Sequence, residues 1–226
     1  MSNLDSSENN NKAIANDGNT YSYWRRRIMY SIMLGYAAFY LVRQNFTMAI
    51  PSLQAELGYS KAEIGMIISV GAILYGLGKG ITGLLGDKSN ARYFMSAGLL
   101  GSAIVSFFLG FTNSWLMLLV LYTFNNCFQS MGWPPCARLL THWFSPREIG
   151  TKWALWNTSQ QMGGAAVLIM APYLIASYGW RYVFFVPAVI CVVFAVFLFN
   201  RLRDTPESLG LPAIEEHHGL VESHEI

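Results

Sequence analysis

Of the 226 residues, 53% are hydrophobic and only 12% carry a charge, with a formal net charge of +2. Soluble domains carry about 25% charged residues, so this composition argues against a water-soluble enzyme, and so small a net charge offers no broad basic face for nucleic acid. At about 20 apolar residues per membrane-spanning helix, the length suits six or seven spans.

Residues 1–22 are rich in Asn and Ser and read as a disordered tail; with no apolar run, they contain no cleavable signal peptide. Six apolar stretches follow, at about 28–50, 63–83, 93–112, 115–137, 153–176 and 182–200. They are too long and too little alternating for strands, and each can cross a core of about 30 Å as a helix. A six-helix transmembrane bundle over 23–203 is therefore predicted. The polar segment 204–226 reads as a linker or tail, and its His217, His218 and His224 read as solvated residues. Cys127, Cys136 and Cys191 all fall in apolar stretches and read as buried small hydrophobes, not as a disulfide or zinc framework.

Lys and Arg set the expected orientation. Eleven of the fifteen (Lys12, Arg25, Arg26, Arg27, Lys88, Arg92, Arg138, Arg147, Lys152, Arg201 and Arg203) fall on one side of the alternating loops. Lys61 and Arg181 fall on the other, and Arg43 and Lys79 lie within spans. Both termini are expected in the cytoplasm.

Arg43 sits about 10 Å of helix inside the first span. A charge near the bilayer centre costs at least about 2.5–3.5 kcal/mol, so it should face protein or a water-filled cavity. Tyr36, Tyr40 and Arg43 share one helical stripe, which suits a phosphate or carboxylate gripped by a guanidinium fork. The alternatives are snorkelling or pairing with an acid, and no acid lies within a span core apart from Glu63 at the edge of the second. Lys79, one turn after Tyr75, is as well explained by snorkelling as by ligand binding. Gly76, Gly78, Gly80 and Gly83, with Gly76 and Gly80 in the small-residue pattern, read as letting a neighbouring helix approach closely. Pro134 and Pro135 interrupt the fourth span, where Gln129 and Trp133 either line a cavity or flank a kink. Trp156 and Gln160 share a face of the fifth span, as glue or as ligand contacts. No Walker loop, nucleophile elbow or zinc-protease motif occurs, and neither an enzyme nor a cofactor is implied.

The run Gly35–Phe46 (GYAAFYLVRQNF) resembles the first helix of the organophosphate:phosphate antiporters of the major facilitator superfamily. Tyr75-Gly76-Leu77-Gly78-Lys79, Gly86-Asp87-Lys88-Ser89-Asn90, Met131-Gly132-Trp133-Pro134-Pro135-Cys136, Trp156-Asn157 and Arg203-Asp204-Thr205-Pro206-Glu207-Ser208 match in order along the chain. The resemblance implies an all-α membrane protein with six transmembrane helices, one half of that superfamily's fold, in a bacterial inner membrane. It also implies exchange of a phosphorylated metabolite, such as glycerol 3-phosphate or a hexose phosphate, for inorganic phosphate by alternating access. Arg43 would grip the phosphate, and Tyr36, Tyr40, Tyr75, Lys79, Trp133, Trp156 and Gln160 would line the site. The loop with Gly83, Asp87, Lys88 and Arg92 would steady one conformation, Asp87 clasping basic residues. Gln44 and Gln160 depart from the Lys and His that this family tends to carry. Superfamily members have two six-helix halves, so a second half is the expected partner. A sensor of external sugar phosphate and a non-transporting fragment are the other readings.

Overall fold

The computed structural model describes residues 2–214 and 216, with side chains described from residue 20 onward. Among the described residues all regular structure is helical: α1 Ser2–Leu57, α2 Lys61–Lys88, α3 Ala91–Leu109, α4 Trp115–Gln129, α5 Trp133–Trp143, α6 Ile149–Tyr178, α7 Tyr182–Arg201 and a 3-10 turn at Glu207–Leu209. Of these, α2, α3, α6 and α7 are long and apolar enough to cross a membrane. In α1, Arg25–Arg27 and Arg43-Gln44-Asn45 dilute the apolar run. The expected fourth span is broken into α4 and α5 at Ser130–Gly132, with Pro134 and Pro135 in the first turn of α5, where a missing N–H costs least. The result is six spans built from seven helices.

Local signals set the helix ends. Ser60 and Glu63 form a reciprocal capping box at the start of α2, and Asn90 caps α3 through the Arg92 N–H. At the turn before α7, Gly179 has φ +92°, a conformation that disfavours any side chain.

α1 is the central helix, packed on α6 and α7; α3 lies between α7 and α4, and α2 lies on α4 and α5. Buried amides fasten α1 in place. Asn45 donates to Ser106 Oγ at 2.9 Å, Asn125 to the Val42 carbonyl at 2.9 Å, and Gln129 to Ser102 Oγ at 2.7 Å and the Phe39 carbonyl at 3.2 Å. Gln129 is thus a buried strut. The α4–α5 break also removes the shared face that regular helical spacing would give it with Trp133.

The loops sort to two ends as the Lys/Arg pattern predicts. At the basic end, Arg27 donates to the Asn200 and Arg201 carbonyls, tying the start of α1 to the end of α7. At the other, Arg181 bonds Glu56 Oε1 at 2.7 Å and Asn113 Oδ1 at 2.6 Å.

Each end of the chain carries apolar anchors. The helical backbone of α1 runs back through the Asn/Ser-rich segment, and Tyr21 is buried with its ring 5.8 Å from Trp143. Leu211 and Ile214 pack into the main apolar cluster. Single anchors of this kind leave no apolar run for hydropathy to register. His217, His218 and His224 lie outside the described residues.

The four glycines of α2 expected to pack a neighbouring helix, Gly76, Gly78, Gly80 and Gly83, divide. A Cβ at Gly78 would meet Ser130 Oγ at 3.0 Å, whereas at Gly76, Gly80 or Gly83 it would meet no described atom within 4 Å. The closer crossings fall elsewhere, above all at Gly163, where a Cβ would lie 2.7 Å from Tyr40 Cβ and nearer still to the Ala37 carbonyl oxygen.

Candidate anion site in the bundle

The Gly163 crossing brings the polar stripes of α1 and α6 together. Tyr40 donates to Gln160 Oε1 at 2.8 Å, and the Gln160 amide donates to Asn157 Oδ1 at 2.9 Å. On α1, the Tyr36 and Tyr40 rings meet edge to face at 5.6 Å. The Arg43 guanidinium lies 5.4 Å from the Tyr40 ring centre and 4.4 Å from that of Tyr75, and Nη1 donates to Tyr75 Oη at 2.9 Å. Lys79 Nζ stands 4.8 Å from the same Tyr75 ring.

Two cations thus converge on one phenol, and among the described residues neither has a carboxylate partner. Ring faces and a phenol oxygen attract cations, but they cancel no charge. Lys79 is not simply turned away from Arg43, as pure snorkelling would have it. Such a pair lowers its mutual repulsion when an anion with several acceptor oxygens lies between the two groups.

The remaining expected lining residues divide. Trp156 is wholly buried, with its ring 4.7 Å from Tyr36, and it backs that phenol without offering a face to a ligand. Trp133 is exposed at the start of α5 and joins the cluster through Trp153, at 5.9 Å, which is in turn 5.7 Å from Trp156. Trp153 was not singled out from the sequence, although its spacing of three from Trp156 was the available signal. The Gln160 amide that accepts from Tyr40 does not titrate.

The loop after α2 has a different clasp from the one expected. Arg138 donates to the backbone carbonyl of Asp87 at 2.6 Å, while its fork grips Asp204, with both N–O distances 3.1 Å. Asp204 also accepts from the Ala91 N–H at 2.8 Å. Among the described residues the Asp87 carboxylate forms no ion pair. Asp204 prevails because it reaches Arg138 and the start of α3 at once, satisfying a helix-terminal donor as well as a charge. Arg92 turns to α7, donating to the Phe199 carbonyl with its guanidinium 4.3 Å from the Phe199 ring. Lys88 is exposed.

Six spans around a polar, cationic midsection define one half of a membrane transporter fold. The chain belongs to the Major Facilitator Superfamily, whose family model matches residues 32–224. It is 46% identical over 204 residues to a probable hexose phosphate transport protein of Chlamydia trachomatis, covering 90% of this chain and 45% of that protein. It is 43% identical to the membrane sensor protein UhpC of Escherichia coli, covering 89% of this chain and 46% of that one. Against the glycerol-3-phosphate transporter of Bacillus subtilis it is 40% identical, covering 90% and 47%. The chain therefore spans about half the length of these curated relatives. In structure it resembles a bacterial homologue of the human lysosomal transporter Spinster, in an inward-facing, unoccupied conformation. The TM-score is 0.71 at 18% identity, covering 81% of this chain and 44% of that one, and the likeness concerns the fold.

Proposed function

We propose that this bundle forms one half of an inner-membrane carrier that exchanges a phosphorylated metabolite for inorganic phosphate, with both termini cytoplasmic. Arg43 and Lys79 hold the phosphoryl group; Tyr40, Tyr75 and Gln160 contribute hydrogen bonds, and Tyr36 and Trp156 shape the wall. A second six-helix half completes the enclosure, and alternating access follows from rocking of the two halves about the site. The observation that carries this reading is the sharing of the Tyr75 ring by Arg43 and Lys79 with no acid partner among the described residues. Names among the relatives favour a phosphorylated small molecule as the substrate class.

A sensor role is the second reading, because the UhpC sensor is as similar as the transporters. Counterflow of a labelled phosphate ester separates the two, since flux marks a carrier and binding without flux marks a sensor.

The site itself is tested by Arg43→Lys, which keeps the charge and removes the planar fork. Binding of labelled inorganic phosphate to the purified protein should weaken at least tenfold while membrane insertion is preserved. Unchanged affinity would make Arg43 a structural residue.

A further inference from the structure

A groove of about 600 Å³ opens between α1 and α6 at the basic end of the bundle. Three cations line it, Arg25, Arg26 and Lys152, against one carboxylate, that of Glu148. Among the described residues Glu148 is ion-paired with Arg25. Among the described residues Arg26 bonds its own helix, through Nε to the Ser22 carbonyl at 3.3 Å, and Lys152 lies over the Phe144 ring at 5.5 Å. Arg25 Nε is buried with no hydrogen-bond partner among the described residues. Among the described residues the groove thus holds two cations beyond what its acid neutralises.

Its floor is apolar, made by Met29, Met33 and Leu155. On α1 its residues continue the Tyr36–Tyr40–Arg43 stripe, since positions 26, 29, 33, 36, 40 and 43 succeed one another by threes and fours. On α6, positions 152, 156 and 160 do the same by fours. Arg26 is nevertheless about 25 Å along the helix from Arg43, too far for one phosphate to touch both.

We propose that this groove is a second phosphate-binding site, in which Arg26 and Lys152 hold a phosphoryl group whose carbon stem lies on the methionine floor. The stripe makes it a staging point on the path to Arg43. The chemistry fits a soluble phosphate ester, and it also fits the headgroup of an anionic lipid. The source of the ligand rests on the reading of Arg43 given above, but occupancy of the groove is measured independently of it.

The test is the stoichiometry of labelled inorganic phosphate bound by the purified protein. Two phosphates per chain are expected for the wild type. One is expected for Arg43→Ala and one for Arg26→Gln/Lys152→Gln, the residual site differing between them. Arg26→Gln alone, at an exposed position, should weaken the groove site at least fivefold, and Arg26→Lys/Lys152→Arg should restore it. Native mass spectrometry with phosphatidylglycerol against phosphatidylcholine tests the lipid source. Selective retention of phosphatidylglycerol that is lost in Arg26→Gln, together with its displacement of phosphate, identifies the headgroup as the occupant. Stoichiometry and lipid retention both unchanged in the Arg26 and Lys152 variants would overturn the proposal. Unchanged stoichiometry in Arg43→Ala would instead count against the Arg43 site.

Discussion

Replacing Gly163 by alanine places a methyl group where α1 and α6 cross. Its Cβ would stand 2.7 Å from Tyr40 Cβ and 3.0 Å from the Ala37 carbonyl carbon. Carbon atoms settle at about 3.5–4.0 Å, so the helices must part by roughly 1 Å. The Tyr40–Gln160 bond, 2.8 Å long and one turn away, would then lie at or beyond the limit of a useful hydrogen bond. Overpacking costs about 1–3 kcal/mol, offset by up to about 1 kcal/mol from the better helix propensity of alanine, for a net loss near 1–2 kcal/mol. Gly80→Ala is the matched control, because a Cβ there meets nothing within 4 Å and only the propensity gain remains. Thermal unfolding in detergent, followed by tryptophan fluorescence, should show Gly163→Ala melting below the wild type and Gly80→Ala at or above it. Phosphate binding should weaken only in the first variant. A Gly163→Ala protein as stable as Gly80→Ala would refute the close crossing and the register it imposes on the site.

Glu56 gives a pH prediction. The hydrogen bond from Arg181, and after it that from Trp180, holds its carboxyl below the usual glutamate range. A depressed folded-state value means that this stabilisation is complete above the unfolded value, about 4.3, and fades as pH falls through the folded one. The melting difference between wild type and Glu56→Gln should therefore shrink as pH drops from 6 to 3; a constant difference would contradict it. Asp204→Ala should cost about 1–3 kcal/mol by orphaning the Arg138 fork and the Ala91 N–H. It should also speed proteolysis between residues 203 and 214, and a cleavage rate equal to that of the wild type would show that Asp204 does not hold this segment down.

The sequence by itself determined the class of the protein, because hydrocarbon demands long helices and leaves them as apolar runs. It also determined which loops share an end, through the Lys/Arg asymmetry, and the Tyr36–Tyr40–Arg43 stripe, since positions three and four apart always meet on a helix. What lay between helices was decided only by packing. The Tyr75 ring joins Lys79 to Arg43 because α2 presents it beside α1, and no spacing within either helix encodes that meeting. Asp204 displaces Asp87 as the partner of Arg138 because the segment after α7 folds back under α3, more than sixty residues from the arginine in sequence. The fourth span divides at Ser130–Gly132, so spacing across the break no longer assigned Gln129 and Trp133 to one face. The glycines of α2 named a close approach, but only Gly78 of the four makes one and the tightest crossing is at Gly163, since the neighbour that can come near is fixed by the whole bundle and not by the residues that would permit it.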